Sequence, residues 1–252
     1  MSLATLTFGC GGEFIEGPPT VLPTPVEKVG GTADGVTISK RIRPAELALQ
    51  LKRPDRNRLL VIPEDSRFDV DVRSLAGATT FSIEMWLRLD DTVDQTILSS
   101  HDLAVMVRDG VMRVQLAGAT ARGTRVVAGE WYHFALSVDR GEMRFFVNGG
   151  LSGLAEITGA YDDAMGRMLS VGGVTEAGGR GFSGRIDNLR LLAVPYTSAR
   201  GFIPSTVLAP RDGIVAAFDF NAGEAPGERV VASTGPLVGE LINQARVING
   251  NI

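Results

Sequence analysis

Between Glu46 and Val194, apolar and polar residues alternate with a period of two, and turn dipeptides break the alternation every few residues. Successive side chains of a strand point to opposite faces, so this pattern predicts half-buried strands. Thr80 to Leu89 is the clearest case. Phe81, Ile83, Met85, Leu87 and Leu89 fall on one face, and Ser82, Glu84, Trp86 and Arg88 on the other. Leu103 to Arg108, the turn Asp109-Gly110 and Val111 to Leu116 predict a hairpin, because Asp-Gly supplies the positive φ of a tight turn. Trp131 to Val138, the turn Asp139-Arg140-Gly141-Glu142 and Met143 to Val147 predict a second, ending at Asn148-Gly149. Met168 to Val171, Gly184 to Leu192 and Gly213 to Phe220 add further strands. Weak strands at 229–232 and 237–242 follow a Gly/Pro-rich loop at 221–227, and Asn249-Gly250-Asn251 reads as a loose end. No window carries a helical period. Short strands separated by turns predict an all-β antiparallel sandwich or barrel. Its core would hold Phe81, Ile83, Met85, Leu87, Phe134, Leu136, Val138, Phe145 and Val147.

The first 45 residues follow another pattern. Gly11-Gly12, Pro18-Pro19, Pro23, Pro25 and Gly30-Gly31 break any regular element, so residues 17–31 should be extended. Strand-like pieces at Leu3 to Phe8 and Val36 to Ile42 flank them. Two readings stand: an arm that docks on another subunit, or a leader or strand tucked onto the chain's own domain. The expected organisation is an N-terminal arm (1–45), a sandwich (46–220) and a C-terminal extension (221–252) packing on the sandwich or on a partner.

Composition narrows the classes. With 252 residues, 44% hydrophobic and 21% charged, the chain is neither a coiled coil nor disordered. Its longest apolar runs, such as Ile214 to Phe218, fall far short of the roughly 18 residues of a spanning helix, so no membrane insertion is expected. The formal net charge is −4 and no Lys/Arg-rich block stands out, which argues against a nucleic-acid partner. Cys10 is the single cysteine, so no internal disulfide forms. A basic start followed by an apolar stretch is missing, so no secretory signal is expected.

Phe81-Ser82-Ile83-Glu84-Met85-Trp86-Leu87 resembles the "FTIEAWV" strand of laminin-G-like domains, which belong to the concanavalin A-like lectin/glucanase superfamily. Leu98-Ser99-Ser100 is similar to an "ILSK"-type strand, and Gly129-Glu130-Trp131-Tyr132-His133-Phe134-Ala135 to "G-x-W-H-H-V-A". Phe145-Phe146-Val147-Asn148-Gly149 is similar to "LYVDG", and Phe182 to Arg190 to "F-x-G-x-I-D-E-V-R". Leu47 to Val61 resembles the opening strands. The resemblance spans residues 47–190 with its pieces in order. It implies a jelly-roll of two antiparallel sheets, and no particular activity.

Hydrolysing members of this fold place carboxylates at alternate positions of one strand, where one serves as acid and the other as nucleophile. No strand is read with that pattern. Glu84 stands alone on its face, Asp162 and Asp163 are adjacent and would point apart, and Glu13 and Glu16 lie in the leader. There are two histidines, His101 and His133, no nucleophile elbow and no Cys/His cluster with metal spacing. A non-enzymatic protein with no required cofactor is therefore expected. The resemblance implies one optional structural calcium near a sheet edge, through Asp187 and, second, Asp219. The competing reading makes each a turn or ladder residue bonding local backbone.

If the strands pair as in the family, one face collects Glu84, Trp86, Arg88, Trp131, His133, Arg144, Phe146 and Asn148. Aromatic planes stack on sugar rings while Arg, Glu and Asn bridge hydroxyls, a mix suited to glycan. The competing reading is that loops cover this face, since Trp86 and Trp131 match positions the family uses for packing. The combined expectation is a virus or phage surface component: a decoration, fibre or tail protein assembled in the host cytoplasm. The arm would anchor it to capsid or tail partners, with cell-surface polysaccharide as ligand. An arm that pairs with a neighbour closes most simply in a ring, which predicts a homo-oligomer. The alternatives are a bacterial carbohydrate-binding or adhesion protein exported by an unseen route, and a degenerate glycoside hydrolase or lyase.

Overall fold

The alternation becomes two stacked sheets in a computed structural model of the chain, which describes residues 26–28, 39–41, 58–173, 180–196, 201–205, 211–221 and 229–250. The chain divides into two units, residues 1–43 and 44–252. In the first, β1 (Val26–Lys28) pairs antiparallel with β2 (Ser39–Arg41). β2 falls within the strand-like piece read at 36–42. Leu3 to Phe8, and the arm apart from these two strands, lie outside the described residues.

The second unit contains β3 (Arg58–Ile62), β4 (Arg67–Asp71), β5 (Thr80–Leu89), β6 (Gln95–Ser99), β7 (Leu103–Arg108), β8 (Val111–Leu116) and β9 (Ala119–Arg125). β10 (Trp131–Asp139), β11 (Glu142–Val147), β12 (Gly150–Glu156), β13 (Met168–Val171), β14 (Arg180–Gly181) and β15 (Gly184–Leu192) follow. β16 (Ile214–Phe218), β17 (Arg229–Val231), β18 (Val238–Ile242) and β19 (Arg246–Asn249) complete it. One sheet runs β12-β11-β10-β5-β15-β3-β19, with β16 beside the second half of β15. The other runs β17-β18-β4-β13-β6-β7-β8-β9, with β14 as a short parallel addition to β6. No helix among the described residues is long and apolar enough to cross a membrane.

The core lies between the sheets. β10 pairs β5 so that Phe134 faces Met85, Leu136 faces Ile83 and Val138 faces Phe81. All six are fully buried, as are Leu87 and Phe145. Each such side chain contributes roughly 1.5–3 kcal/mol of transfer free energy before entropy is subtracted. Val147 departs from the expectation: it is half-buried and packs against the margin of the core.

Three turns hold the order of strands. Asp109-Gly110 and Arg140-Gly141 adopt positive φ (54° and 68°, 47° and 86°), as their dipeptides predict. Asn148-Gly149, read as a hairpin's end, is itself a turn (51° and 79°) that carries the chain into β12. The C-terminal segment also differs from expectation. β18 pairs β4 and β19 pairs β3, so residues 229–249 complete both sheets instead of lying on them, and Asn249 ends a strand.

β9 and β12, at the same margin of opposite sheets, close one side of the sandwich. The Thr124 amide donates to Ser152 Oγ at 3.0 Å across the gap. Glycines make this approach possible: a Cβ on Gly123 would sit 2.2 Å from Phe145 Cζ, and one on Gly153 2.2 Å from Phe145 Cε1. Gly153→Val should therefore lower stability by about 1–3 kcal/mol through overpacking. Urea unfolding of G153V, F145L and the double variant checks this. Recovery in the double variant marks the clash, and additive losses would exclude it.

Candidate functional site

The register gathers most of the expected glycan residues as read. On the outer face of the first sheet, Trp131 pairs Arg88, His133 pairs Trp86, and Ala135 links Glu84 to Phe146. The face is covered, however. Glu84 is 3% exposed, and Trp86, His133 and Phe146 are fully buried. A strap, described at residues 193–196 and 201–205, crosses them. Ser82 Oγ donates to the Val194 carbonyl at 2.8 Å, the Tyr196 amide to Ser137 Oγ at 2.9 Å, and Trp86 Nε1 to the Ser205 carbonyl at 3.1 Å. The Tyr196 and Phe202 rings stack at 4.6 Å, and Phe202 meets both Phe146 and His133 edge-on at 5.5 Å. Four of the eight expected residues therefore offer no plane or donor to a sugar. The physical reason is that an apolar sheet face lowers its free energy under a second apolar layer. The other four are half-exposed. Arg88 donates to the Gly129 carbonyl, Asn148 Oδ1 accepts from the His133 amide, and Arg144 pairs Glu142.

Under the strap sits a charged cluster. Glu84 Oε1 lies 3.0 Å from His133 Nε2, and its Oε2 accepts from the Tyr196 hydroxyl at 2.5 Å and from Arg190 Nη1 at 3.2 Å. Burial pushes the Glu84 carboxyl up, but His133, then Arg190 and Tyr196, outweigh it and hold the group below its ordinary value. The ionised carboxylate assigns the His133 proton to Nε2, and Nδ1 has no hydrogen-bond partner among the described residues. Burial, followed by the Glu84 charge and hydrogen bond, pushes the Tyr196 phenol well above its usual range. Arg190 reaches Glu84 because β15 bulges between Asp187 and Arg190, with Asn188 at φ 53°. Without the extra residue, Leu189 would face Glu84. Asn tolerates that conformation, which is the sequence signal for the bulge.

Asp187 is fully buried opposite Trp86, and Asp219 Oδ1 accepts from the Asn221 amide at 3.0 Å in its own turn. Among the described residues no group of three or more His, Cys, Asp or Glu is placed to hold a metal ion.

The outer face of the second sheet is open over its first strands, whereas Ser99 and Ala104, farther along it, are buried. A groove of 540 Å³ runs over β4, β13, β17 and β18. Asp69 and Asp71, two apart on β4, share this face. Met168, Leu237 and Val238 supply the apolar lining. Each acid already has a partner. Asp69 accepts from Arg67 Nε at 2.8 Å and Ser170 Oγ at 2.6 Å, and Glu240 from Arg229 at 3.1 Å. Arg73 forks onto Asp71 and also bonds it through its amide, which holds that carboxyl down at about 2. The groove thus offers fixed charged donors and acceptors to hydroxyl groups, and its Asp71 is an acceptor at any working pH.

A family model for the concanavalin A-like lectin/glucanases superfamily matches residues 64–200. No curated protein matches the chain. A candidate carbohydrate binding protein from Bacteroides ovatus superposes with TM-score 0.62 at 17% identity, over 77% of this chain and 60% of its own length. The chain thus spans about three-fifths of that protein. A native heptameric SAP-like pentraxin from Limulus polyphemus gives TM-score 0.48 at 14% identity, over 75% of this chain and 96% of its own. Domains LG4-5 of the mouse laminin α1 chain give 0.43 at 16% identity, over 63% and 47%.

Proposed function

The chain belongs to the concanavalin A-like lectin/glucanases superfamily, and we propose that it binds polysaccharide without cleaving it, through the groove on its second sheet. The observation that carries this is the contrast between the two faces. The strap covers the centre of one, while the other presents an open groove of 540 Å³, within the range of ligand sites. The carboxylates fit binding better than hydrolysis. A glycosidase needs one carboxyl that keeps its proton near neutral pH, whereas Arg73 keeps Asp71 ionised; Asp69 and Glu240 accept hydrogen bonds from Arg67 and Arg229.

Arg229→Ala/Glu240→Ala removes both partners of an exposed pair, so the fold should be untouched. On a glycan array, the retained ligand should bind this variant at least about tenfold more weakly, a loss of ~1.4 kcal/mol. A reducing-sugar assay on that ligand should stay flat. Undiminished retention would move the site elsewhere, and released reducing ends would make the protein an enzyme.

The finer part of the proposal is display. Residues 1–45 tether the sandwich to a larger assembly, as on a virion; the Bacteroides ovatus neighbour favours instead a bacterial carbohydrate-binding protein. Deleting residues 1–45 should abolish incorporation into the native particle while sparing groove binding. Normal incorporation of the shortened chain would remove the tether.

A further inference from the structure

One ladder row crosses the whole second sheet on its outer face. It runs Arg229, Glu240, Asp69, Ser170, Ser99, Ala104, Gln115 and Thr120, one residue from each of eight strands. The groove occupies its beginning. Beside its far end lie four arginines. Arg113 of β8 stands directly opposite Arg122 of β9, and Val111 stands between Arg108 of β7 and Arg125 of β9. Residues three apart on a strand ordinarily face opposite sides. A bulge between Arg122 and Arg125 returns both to the outer face, and Gly123 within it has no room for a side chain against Phe145.

Like charges placed directly opposite destabilise a sheet. Asp109 answers Arg113 at 2.8 Å, but among the described residues Arg108, Arg122 and Arg125 have no ion pair. This repulsive strip sits in a chain whose net charge is −4. Such an arrangement is relieved by an anion.

We propose that the arginine strip binds the acidic groups of a polysaccharide, carboxylate or sulfate, whose chain passes over the sheet to the groove. The inference rests on the groove reading. Four strand spacings separate β4 from β8, about 19 Å, so one oligosaccharide reaches both. Charge complementarity selects this polymer over nucleic acid. A duplex carries one charge per roughly 1.7 Å and would press phosphates onto Asp69, Asp71 and Glu240. A polysaccharide spaces its charges by whole sugar units and meets arginines at one end and hydroxyl-binding groups at the other.

The test uses the full chain with polygalacturonate, dextran sulfate, unsubstituted dextran and a DNA oligonucleotide, by affinity electrophoresis at low and high salt. At least one acidic polymer should bind ten or more times tighter than dextran and be released by salt, and which one binds assigns carboxylate or sulfate. Arg113→Gln/Arg122→Gln should weaken that binding at least tenfold while its melting temperature rises, because the repulsion is gone. Acidic polymers no tighter than dextran, unchanged binding in R113Q/R122Q, a lowered melting temperature in that variant, or DNA binding as well as the polysaccharide would each overturn the strip. If R113Q/R122Q abolishes binding and R229A/E240A leaves it intact, the strip stands and the groove reading falls. If only groove-dependent neutral glycan is retained, the reverse holds.

Discussion

Glu84→Ala should destabilise the sandwich by about 3–5 kcal/mol, the usual cost of removing one member of a buried ion pair. The variant strands the Arg190 guanidinium, the Tyr196 hydroxyl and the His133 ring, whose side chains bond Glu84 in the interior. Glu84→Gln keeps the shape and part of the hydrogen bonding, so it should cost less. Urea unfolding decides: an E84A loss below about 1 kcal/mol would mean that the cluster does not hold the strap. The pH dependence follows from the directions of the two shifts. Glu84 is depressed in the fold, so its contribution is full above its ordinary 4.5 and drains away as pH falls through the folded value. Tyr196 is raised, so its contribution is full below 10.0 and is lost as pH climbs through the folded value. Stability should therefore fall on both sides of a broad plateau. E84Q should flatten the acid limb and Tyr196→Phe the alkaline one.

Leu136→Asp should abolish folding. Leu136 is fully buried between Ile83 on β5 and Phe145 on β11. The change forfeits the transfer free energy of the leucine and buries a carboxylate with no partner, which together exceed the margin of a typical domain. Leu136→Ala, a cavity without a charge, should cost about 2–5 kcal/mol and leave a folded protein. A soluble L136D chain with a cooperative melt would contradict the placement of β10 in the core.

The contrast between strands that were legible and strands that were not has a physical basis. β5, β7, β8, β13 and β15 could be bounded from the sequence because each turns an alternate set of apolar residues into the core and ends in a turn or loop with its own chemistry. β9 and β12 could not. They close the margin of the sandwich, so Ala119–Arg125 and Gly150–Glu156 carry glycine, serine and threonine where an inner strand carries large apolar residues. The turn into β9 is Ala117-Gly118, with Ala117 at φ 45°, and alanine lacks the side-chain oxygen that announces such turns. The site was half legible for a related reason. Alternation says that Glu84, Trp86 and His133 share a face, but not what lies on it. The cover comes from Tyr196, 112 residues from Glu84, a separation that no local pattern reports.

The first and last strands of the sandwich are neighbours in both layers, β3 beside β19 and β4 beside β18. A chain leaving the ribosome therefore holds two early segments with one backbone margin each unsatisfied until β18 and β19 emerge. Contacts so distant along the chain are slow to form, and bare strand margins invite pairing between nascent copies. Translation that stops shortly before residue 229 would release a species prone to aggregation, so β18 and β19 act as the clasp that ends the vulnerable interval of synthesis.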